Sequence, residues 1–372
     1  MISNFISLDK LRGIIRNYRF NVWLLEGRER NSGEKLSIIY AGHRANKNYI
    51  SHLAFADTVK ESYHGIIWLW AALRLHIKFP ESHLIILEIN EKLYKRFSDN
   101  AGLYIPCWID GELYLEDVIN RYKTSENIKS DLRKIRKYKL QYEVTHDRGL
   151  FDHFYYQMYV PHITRVHQDR ALLMSHRVMI EKMDHCDLLL IKMEDEYIGG
   201  ELLIYENDTV RAWSLGIKDG DMRYVKAGAV GAFYYFRTQY LADKGYQKIR
   251  MGASRAFLKD GVLTYKKKWG MRLIGPRYSG FWVRPNSMEK GMIDYLVHNP
   301  FVFERHGKLE GAIFINDVSQ LSEDQIMKLY KDYYIGGLSR LNIYLCTEER
   351  TEIKVPDELS DSIVIRSIES LS

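Results

Sequence analysis

The alternation of apolar and polar positions divides the chain into three parts. In the first part, residues 36–41 and 84–88 are short apolar runs typical of buried strands, and residues 59–77 predict a helix. Residues 1–125 are therefore predicted to form an N-terminal α/β segment.

The last part, residues 291–372, shows the same mixture. Residues 312–316 and 341–345 predict strands, and Ser322 predicts a helix N-cap with Gln325 as its capping-box partner. Neither terminal part contains G-x-x-x-x-G-K-[ST] or G-x-G-x-x-G, so neither predicts a nucleotide site. We expect a C-terminal α/β segment, and its packing with the N-terminal segment is an open possibility.

The middle part, residues 126–290, has a different pattern. Three β-rich runs, 187–193, 197–205 and 209–217, are joined by short polar connectors, which predicts an antiparallel meander. A strand at 141–148 and a helix at 149–159 are expected to precede it. After it, the pattern predicts a long helix (225–244) with Gly245 as its cap, a strand (248–252), a short helix (262–269) and a strand (278–283).

Length and composition set the general class of protein. A chain of 372 residues with 46% hydrophobic residues is expected to fold into two or three domains. Cys107, Cys186 and Cys346 are widely separated and form no C-x-x-C pair, so a disulfide framework and a zinc site are not predicted. Residues 1–25 lack the pattern of a signal peptide, and the longest apolar run, 66–73, is too short to span a bilayer. We therefore expect a soluble cytoplasmic protein without a transmembrane segment.

The net charge of +6 is a mild excess, with 54 basic and 48 acidic residues, and it suits anionic ligands without requiring them. One local concentration is stronger, and its members are Lys129, Arg133, Lys134, Arg136, Lys137 and Lys139. These side chains are candidates to contact phosphate groups of a cofactor, a tRNA or a lipid surface. The alternative is a solvated helix face with Leu132, Ile135 and Leu140 turned inward.

The most specific motif is the segment 248–270, KIRMGASRAFLKDGVLTYKKKWG. A strand ends in Gly252 and Ala253, a loop follows, and an aromatic and basic run closes the segment. This combination resembles the Fem peptidyltransferases and their single-domain acyltransferase relatives, and the basic run 132–137 is similar to the entry segment of that family. The succession of meander, helix, strand, helix and strand is the order of a GNAT fold. The resemblance implies an α/β (mixed α+β) protein whose central GNAT-like domain, 126–290, has a mostly antiparallel sheet.

The resemblance also implies that Tyr265 and Lys266 lie at the reaction centre, where the corresponding pair in Fem transferases helps to stabilise the tetrahedral intermediate. Electrostatic arguments support the same role for a lysine. Negative charge develops on the carbonyl oxygen when an amine attacks an ester or thioester, and a fixed ammonium stabilises that charge. Lys266 is the first candidate for this role. Lys267 or Lys268 would then hold a phosphate of the acyl carrier. Solvated lysines on a surface turn are the alternative.

The predicted start of the long helix is a candidate cofactor-binding site. Lys226, Ala227, Gly228 and Ala229 would let an anionic ligand approach free backbone N–H groups, although small residues also allow close packing of the helix. The usual GNAT pyrophosphate pattern is not matched, since Lys226 stands three positions after Arg223 where that pattern has glycine.

A general base is needed to deprotonate the incoming ammonium. Glu201 is the first candidate because Gly199 and Gly200 before it would admit a substrate close to the backbone, although a β-bulge explains the glycines equally well. Other candidates are His162, His167 and Asp169. The spacings among His146, His153, His162 and His167 do not match a helical zinc pair, so no metal is predicted.

Several residues are candidates to bind substrate. Arg165 lies in a segment that resembles the substrate-side loop of this branch, and it is suited to bind a carboxylate. Trp213 and Ser214, on the third meander strand, are candidates to line the pocket, with core packing as the alternative for Trp213. Ser254 and Arg255 follow the Gly-Ala pair, and Arg255 is either an anion ligand or part of a surface ion pair.

The function predicted from these residues is N-acyl transfer. An acyl or aminoacyl group would pass from acyl-CoA, acyl carrier protein, aminoacyl-tRNA or an activated ester to a primary amine on a small molecule, an amino sugar or a peptide, with no tightly bound cofactor. Direct attack is expected because there is no G-x-S-x-G motif and Cys186 begins an apolar strand. The alternatives are a non-catalytic GNAT-fold protein that binds RNA or a partner, and a nucleotide-using transferase that acts through the terminal segments. The oligomeric state is not predicted.

Overall fold

The computed structural model describes residues 18–56, 58–97, 102–167, 173–207, 209–347 and 353–371. These residues form two compact units. Unit 1 comprises the described residues up to Ile109, the segment Ser254–Leu263, and the described residues from Gly275 onward. Unit 2 comprises Asp110–Ala253 and Thr264–Ile274. None of the helices in the described ranges is long and apolar enough to cross a lipid bilayer.

The chain alternates between strands and helices throughout. The strands are β1 (Arg19–Arg28), β2 (Lys35–Gly42), β3 (Lys60–Trp68), β4 (Leu84–Asn90), β5 (Leu103–Tyr114), β6 (Gln141–Thr145), β7 (Cys186–Met193), β8 (Glu196–Glu206), β9 (Thr209–Ile217), β10 (Lys248–Arg250), β11 (Arg272–Pro285), β12 (Phe301–Arg305), β13 (Lys308–Ile315), β14 (Leu341–Leu345) and β15 (Ile363–Ser367). The α-helices are α1 (Arg44–Ala54), α2 (Leu69–Ala72), α3 (Leu75–Lys78), α4 (Glu91–Phe97), α5 (Leu115–Thr124), α6 (Glu126–Lys137), α7 (Arg148–His153), α8 (Val160–His167), α9 (His176–Glu181), α10 (Met222–Ala227), α11 (Ala229–Asp243), α12 (Gly261–Lys268), α13 (Lys290–His298) and α14 (Glu323–Tyr333).

Unit 1 contains both antiparallel and parallel strand pairs. Strand β1 pairs antiparallel with β2 and with β3, whereas β2 and β4 are parallel. Among the C-terminal strands of the unit, β12 pairs antiparallel with β13, whereas β13 pairs parallel with β14 and β14 pairs parallel with β15. Phe20 of β1, Ile39 of β2 and Leu87 of β4 belong to one buried hydrophobic cluster. In α14, Ser322 is the N-cap and its Oγ accepts a hydrogen bond from the backbone N–H of Gln325, as predicted.

The helix predicted over residues 59–77 is wrong for its first half. Residues Lys60–Trp68 form the edge strand β3, and only the short helices α2 and α3 follow. Strand β3 lies along β1 with Tyr63 opposite Trp23, and the two rings are 5.5 Å apart. Cross-strand pairing of aromatic and β-branched side chains therefore decides the structure of this segment over its helix-like apolar spacing.

As far as β10, unit 2 has the order of elements that the sequence predicts, whereas the last predicted strand, 278–283, falls in β11 on residues of unit 1. Strands β6, β7, β8 and β9 form an antiparallel meander, α11 follows, and β10 then lies parallel to β9. Two glycines of β8 show what covers each face. A Cβ on Gly199 would lie 3.0 Å from the ring of Phe233 in α11, and one on Gly200 would lie 2.5 Å from the ring of Phe154. The sheet is thus covered on both faces, and the mixed α/β class with a mostly antiparallel central sheet is confirmed.

The long helix predicted over residues 225–244 is interrupted. Gly228 has a φ of 105°, in the left-handed region, and it ends α10 and precedes α11. A residue with a side chain is strained in this conformation, so glycine is the residue that allows the break. The helix predicted over 149–159 is α7 followed by one π-helical segment, Phe154–Tyr159.

Candidate functional site

The two parallel strands of unit 2 part shortly after they meet. Strands β9 and β10 pair at Ile249 with Val210 and at Arg250 with Arg211, and β10 ends there. Strand β9 continues to Ile217, and within the described ranges its residues beyond Arg211 pair on that side with no further strand. The sheet therefore opens beside the segment that follows β10.

Lys266 lies at this opening. Its ammonium Nζ donates hydrogen bonds to the carbonyl oxygens of Gly252 at 2.9 Å and Ala253 at 3.2 Å, just beyond the end of β10. Only 6% of the residue is exposed. The ammonium is thus held in a position largely shielded from solvent, beside the Gly-Ala pair that the sequence motif singles out.

A buried ion pair crosses from the sheet to α11 in the same unit. Glu201 of β8 accepts a hydrogen bond from Nη1 of Arg237 at 2.5 Å, and both side chains are nearly inaccessible to solvent. Burial raises the pKa of Glu201, while the positive charges of Arg237 and Lys266 oppose that rise. Glu201 is therefore ion-paired with Arg237, a partner that no sequence motif indicates.

Part of this ion pair has no hydrogen-bond partner. Among the described residues, Oε2 of Glu201 and both Nε and Nη2 of Arg237 are buried and bond to nothing. The guanidinium carbon of Arg237 lies 3.8 Å from the centroid of the Tyr234 ring, which stacks on Trp269. Arg237 is the one charged residue among the buried residues of α11. A single arginine in a mainly apolar helix is therefore the sequence signal for this ion pair.

Tyr265 and Lys268 are directed to a different carboxylate. The hydroxyl of Tyr265 and the ammonium of Lys268 both donate to Oδ2 of Asp131 in α6, at 2.9 Å and 2.6 Å. Burial and the charge of Asp131 raise the pKa of Tyr265. Lys267, between Lys266 and Lys268, is half-buried. The run of three lysines therefore splits, since Lys266 reaches the end of β10 and Lys268 reaches α6.

The predicted cofactor-binding residues lie at the break between α10 and α11. Ala227, Gly228 and Ala229 are buried, and a Cβ on Gly228 would lie 2.9 Å from Cβ of Lys134. Helix α6 therefore packs closely against this helix start, which agrees with the alternative of close helix packing. Lys226 is exposed beside it.

The remaining candidates of unit 2 with described side chains lie on α8 and β9. Arg165 is exposed on α8, where its Cδ lies 3.2 Å from the position that a Cβ on Gly220 would take. Trp213 packs against the buried cluster around Phe154, so core packing accounts for its ring. Ser214 is half-buried on β9 and lies opposite Leu202. The side chain of His167 and all of Asp169 lie outside the described residues.

Ser254 and Arg255 belong to unit 1. Ser254 is buried and exchanges two backbone hydrogen bonds with Ile109, each 2.9 Å long. Arg255 donates from Nη1 to Oδ1 of Asn46 at 3.0 Å and to the carbonyl oxygen of Cys107 at 3.3 Å. Its guanidinium lies beside the rings of two aromatic residues, Tyr49 and Trp108.

A buried carboxylate in unit 1 organises a polar cluster that the sequence did not predict. Glu88 of β4 is 6% exposed and has five hydrogen-bonding partners. They are the hydroxyl of Tyr40 (2.7 Å), the backbone N–H and Nδ1 of His43 (each 2.9 Å), Nδ2 of Asn46 (2.9 Å) and the hydroxyl of Ser279 (3.3 Å). Tyr40, His43 and Asn46 are close together in sequence, but Glu88 and Ser279 are remote from them, so no local motif reveals the cluster.

Comparisons with known proteins bear on the fold. No protein-family model matches the chain, and no curated protein matches it. The solved structures that it resembles include L-PGS from Bacillus licheniformis (12% identity, 74% of this chain and 86% of that chain, TM-score 0.36) and FemX (10% identity, 70% and 83%, TM-score 0.35). A third is a tandem GNAT protein from the clavulanic acid biosynthesis pathway (10% identity, 69% and 81%, TM-score 0.28).

Two of these structures carry Fem or GNAT names. Their TM-scores of 0.36 and below make the likeness a weak one. The GNAT-like character of unit 2 therefore rests on its own elements, namely the antiparallel meander, the helix α11 and the parallel strand β10 that parts from β9.

The polar cluster around Glu88 predicts a pH-dependent stability. Burial raises the pKa of Glu88, but hydrogen bonds from His43 and Tyr40 outweigh this effect and bring the pKa below its ordinary value of 4.5. A carboxyl group whose pKa is lowered by folding stabilises the folded protein at pH values above its pKa in the unfolded chain. This contribution is lost as the pH falls through its pKa in the folded protein.

We therefore expect Glu88→Gln to lower the free energy of unfolding at neutral pH by about 2 kcal/mol. The difference from wild type should shrink as the pH is lowered below 4.5, the ordinary pKa of the group. Urea unfolding at several pH values measures it, with the exposed Glu358→Gln as the control variant. A cost that stays the same across this range would show that the Glu88 charge has no part in it.

The three cysteines are expected to be unreactive in the folded protein. Burial raises the pKa of Cys107, Cys186 and Cys346 to about 12 each. A water-soluble disulfide reagent at neutral pH should therefore label them about 10³-fold more slowly than an exposed thiol, and all three should react after denaturation. One rapidly labelled cysteine in the folded protein would contradict this expectation and reopen an acyl-enzyme mechanism.

Proposed function

We propose that this protein is an N-acyltransferase that moves an acyl or aminoacyl group from an activated carrier to a primary amine by direct attack. One observation carries the proposal. The ammonium of Lys266 is held by the carbonyl oxygens of Gly252 and Ala253 where β10 ends and β9 continues alone. A fixed positive charge at the opening of a GNAT-like sheet suits the stabilisation of a developing oxyanion.

The proposed reaction follows from this placement. The acceptor attacks as a free amine, a C–N bond forms, and the carbonyl oxygen gains negative charge near Lys266. The bond to the oxygen or sulfur of the carrier then breaks, the nitrogen loses a proton, and the carrier leaves as an alcohol or thiol that has taken up a proton. Glu201 is paired with Arg237, so we assign the pair to the charge balance around Lys266 and not to proton removal.

The charge distribution of unit 2 supports a polyanionic donor. Four basic side chains along or just after α6 are exposed, and no described carboxylate pairs with them: Arg133, Arg136, Lys137 and Lys139. Lys129 in the same helix is paired with Glu126. Such a surface would make binding of an aminoacyl-tRNA fall steeply with salt, whereas binding of a small acyl-CoA would fall less steeply.

A donor screen tests the proposal. The purified chain is incubated separately with acyl-CoA, acyl carrier protein and aminoacyl-tRNA pools, and native mass spectrometry detects the bound donor. A mixture of amino acids, amino sugars and peptides is then added, and new amides are identified by mass. We expect one donor class to bind and to yield an amide. Absence of both binding and amide formation with all three pools would contradict the proposal.

A further inference from the structure

Arg255 in unit 1 is a partly buried cation whose hydrogen-bond acceptors and ring contacts are all neutral groups. Its guanidinium carbon lies 4.1 Å from the ring centroid of Tyr49 and 3.9 Å from that of Trp108. Its hydrogen bonds go from Nη1 to the amide oxygen of Asn46 and to the carbonyl oxygen of Cys107. In the described part of the chain no carboxylate lies within 4.0 Å of it. Burial lowers the pKa of Arg255, and the more distant charge of Asp260 only partly opposes this effect.

Three other buried or half-buried cations of the described residues pair with carboxylates, whereas Lys266 is held by two backbone carbonyl oxygens. Arg237 pairs with Glu201, Lys47 with Glu61, and Lys268 with Asp131. Because an unpaired buried charge is costly, a side chain kept in this state indicates a ligand that supplies the missing negative charge.

The polar cluster holds Arg255 in a fixed position. The amide of Asn46 donates from Nδ2 to Oε1 of Glu88 and accepts at Oδ1 from Nη1 of Arg255. The Glu88 carboxylate is already occupied by its hydrogen-bonding partners, so it orients Asn46 without pairing with Arg255. The remaining edge of the guanidinium, formed by Nε and Nη2, bonds to no described residue. This edge has the fork geometry that matches a planar carboxylate.

We infer that Arg255 is a binding site for the carboxylate group of a small molecule, with Asn46 as its positioning residue. The carboxylate would accept two hydrogen bonds, from Nε and Nη2, while Tyr49 and Trp108 keep the guanidinium in place. The site requires no acyl transfer in unit 2, so binding at Arg255 and the proposed reaction succeed or fail separately.

The test measures binding to the whole chain by ligand-observed NMR. The probes are L-amino acids and short peptides at millimolar concentration, each compared with its C-terminal amide, with inorganic phosphate and sulfate as further probes. We expect at least one carboxylate probe to bind, and we expect amidation of that probe to weaken binding about tenfold or more.

Variants of the site complete the test. Arg255→Lys keeps the charge but loses the fork, and should weaken carboxylate binding about tenfold, with a smaller loss in Asn46→Ala. The control is Arg272→Lys, because Arg272 also lies over an aromatic ring, that of Tyr114, but is paired with Asp117. Thermal melting verifies that each variant is folded.

Three results would overturn the inference. They are binding of no carboxylate probe, equal binding of acids and their amides, and unchanged binding in a folded Arg255→Lys variant. Phosphate or sulfate binding as tightly as the best carboxylate would instead assign the site to tetrahedral anions and would refute the planar fork.

Discussion

Lys266→Met is expected to lower the rate of acyl transfer by about 10²–10³-fold, the loss typical of removing one group that stabilises an oxyanion. The ammonium of Lys266 is fixed by two backbone carbonyls, so its charge needs no reorganisation as the carbonyl oxygen becomes negative. Because this interaction strengthens in the transition state, kcat should fall while KM changes little. Steady-state kinetics with the donor found by the screen measures both parameters.

Two further variants separate this role from a structural one. Lys192→Met removes a lysine of unit 2 that pairs with Glu143 on the surface, and it should retain the wild-type rate. Lys266→Arg keeps a positive charge and should retain more activity than Lys266→Met. Thermal melting shows whether each protein is folded. A folded Lys266→Met variant with an unchanged turnover would remove Lys266 from the mechanism.

The second large effect is expected at the buried ion pair of unit 2. Replacing Glu201 with leucine leaves the guanidinium of Arg237 buried without a carboxylate, and Arg237→Met leaves Glu201 without its cation. Each change is expected to lower the free energy of unfolding by about 3–5 kcal/mol. Urea unfolding of the full chain, followed by circular dichroism, measures the loss.

The double variant Glu201→Leu with Arg237→Met provides the matched control for this pair. It removes both charges together, so it should cost clearly less than the sum of the two single changes, as expected for directly coupled side chains. Additive losses would mean that the two charges do not stabilise each other. If Glu201 were instead a general base, Glu201→Gln would abolish transfer in a protein of normal stability.

The fold of unit 2 was predictable because its signals are local. Short polar connectors separate the apolar runs of β7, β8 and β9, and Gly245 follows the end of α11. The errors arose where tertiary contacts decide. Strand β3 takes its conformation from pairing with β1, and the left-handed conformation of Gly228 divides a segment whose apolar spacing predicts one helix.

The candidate site was predictable only in part. One sequence motif singles out Gly252, Ala253 and Lys266, which are close in sequence, and the structure joins them by hydrogen bonds. The partners of other residues are remote, since Tyr265 bonds to Asp131, which lies 134 positions away in sequence. The Arg237 pair and the Glu88 cluster likewise depend on which strand and helix faces meet. A single sequence carries no periodic signal for such contacts.

An acid-quenched single-turnover reaction distinguishes direct transfer to the amine from transfer through an acylated protein. The protein is mixed with an isotopically labelled acyl donor and an amine acceptor, quenched at increasing times, and analysed by mass for label on the donor, on the protein and in the amide. We expect label to pass from donor to amide with no acylated protein at any time, and we expect Lys266→Met to slow this step. Label that appears on the protein before the amide, or no amide formation with any donor, would contradict it.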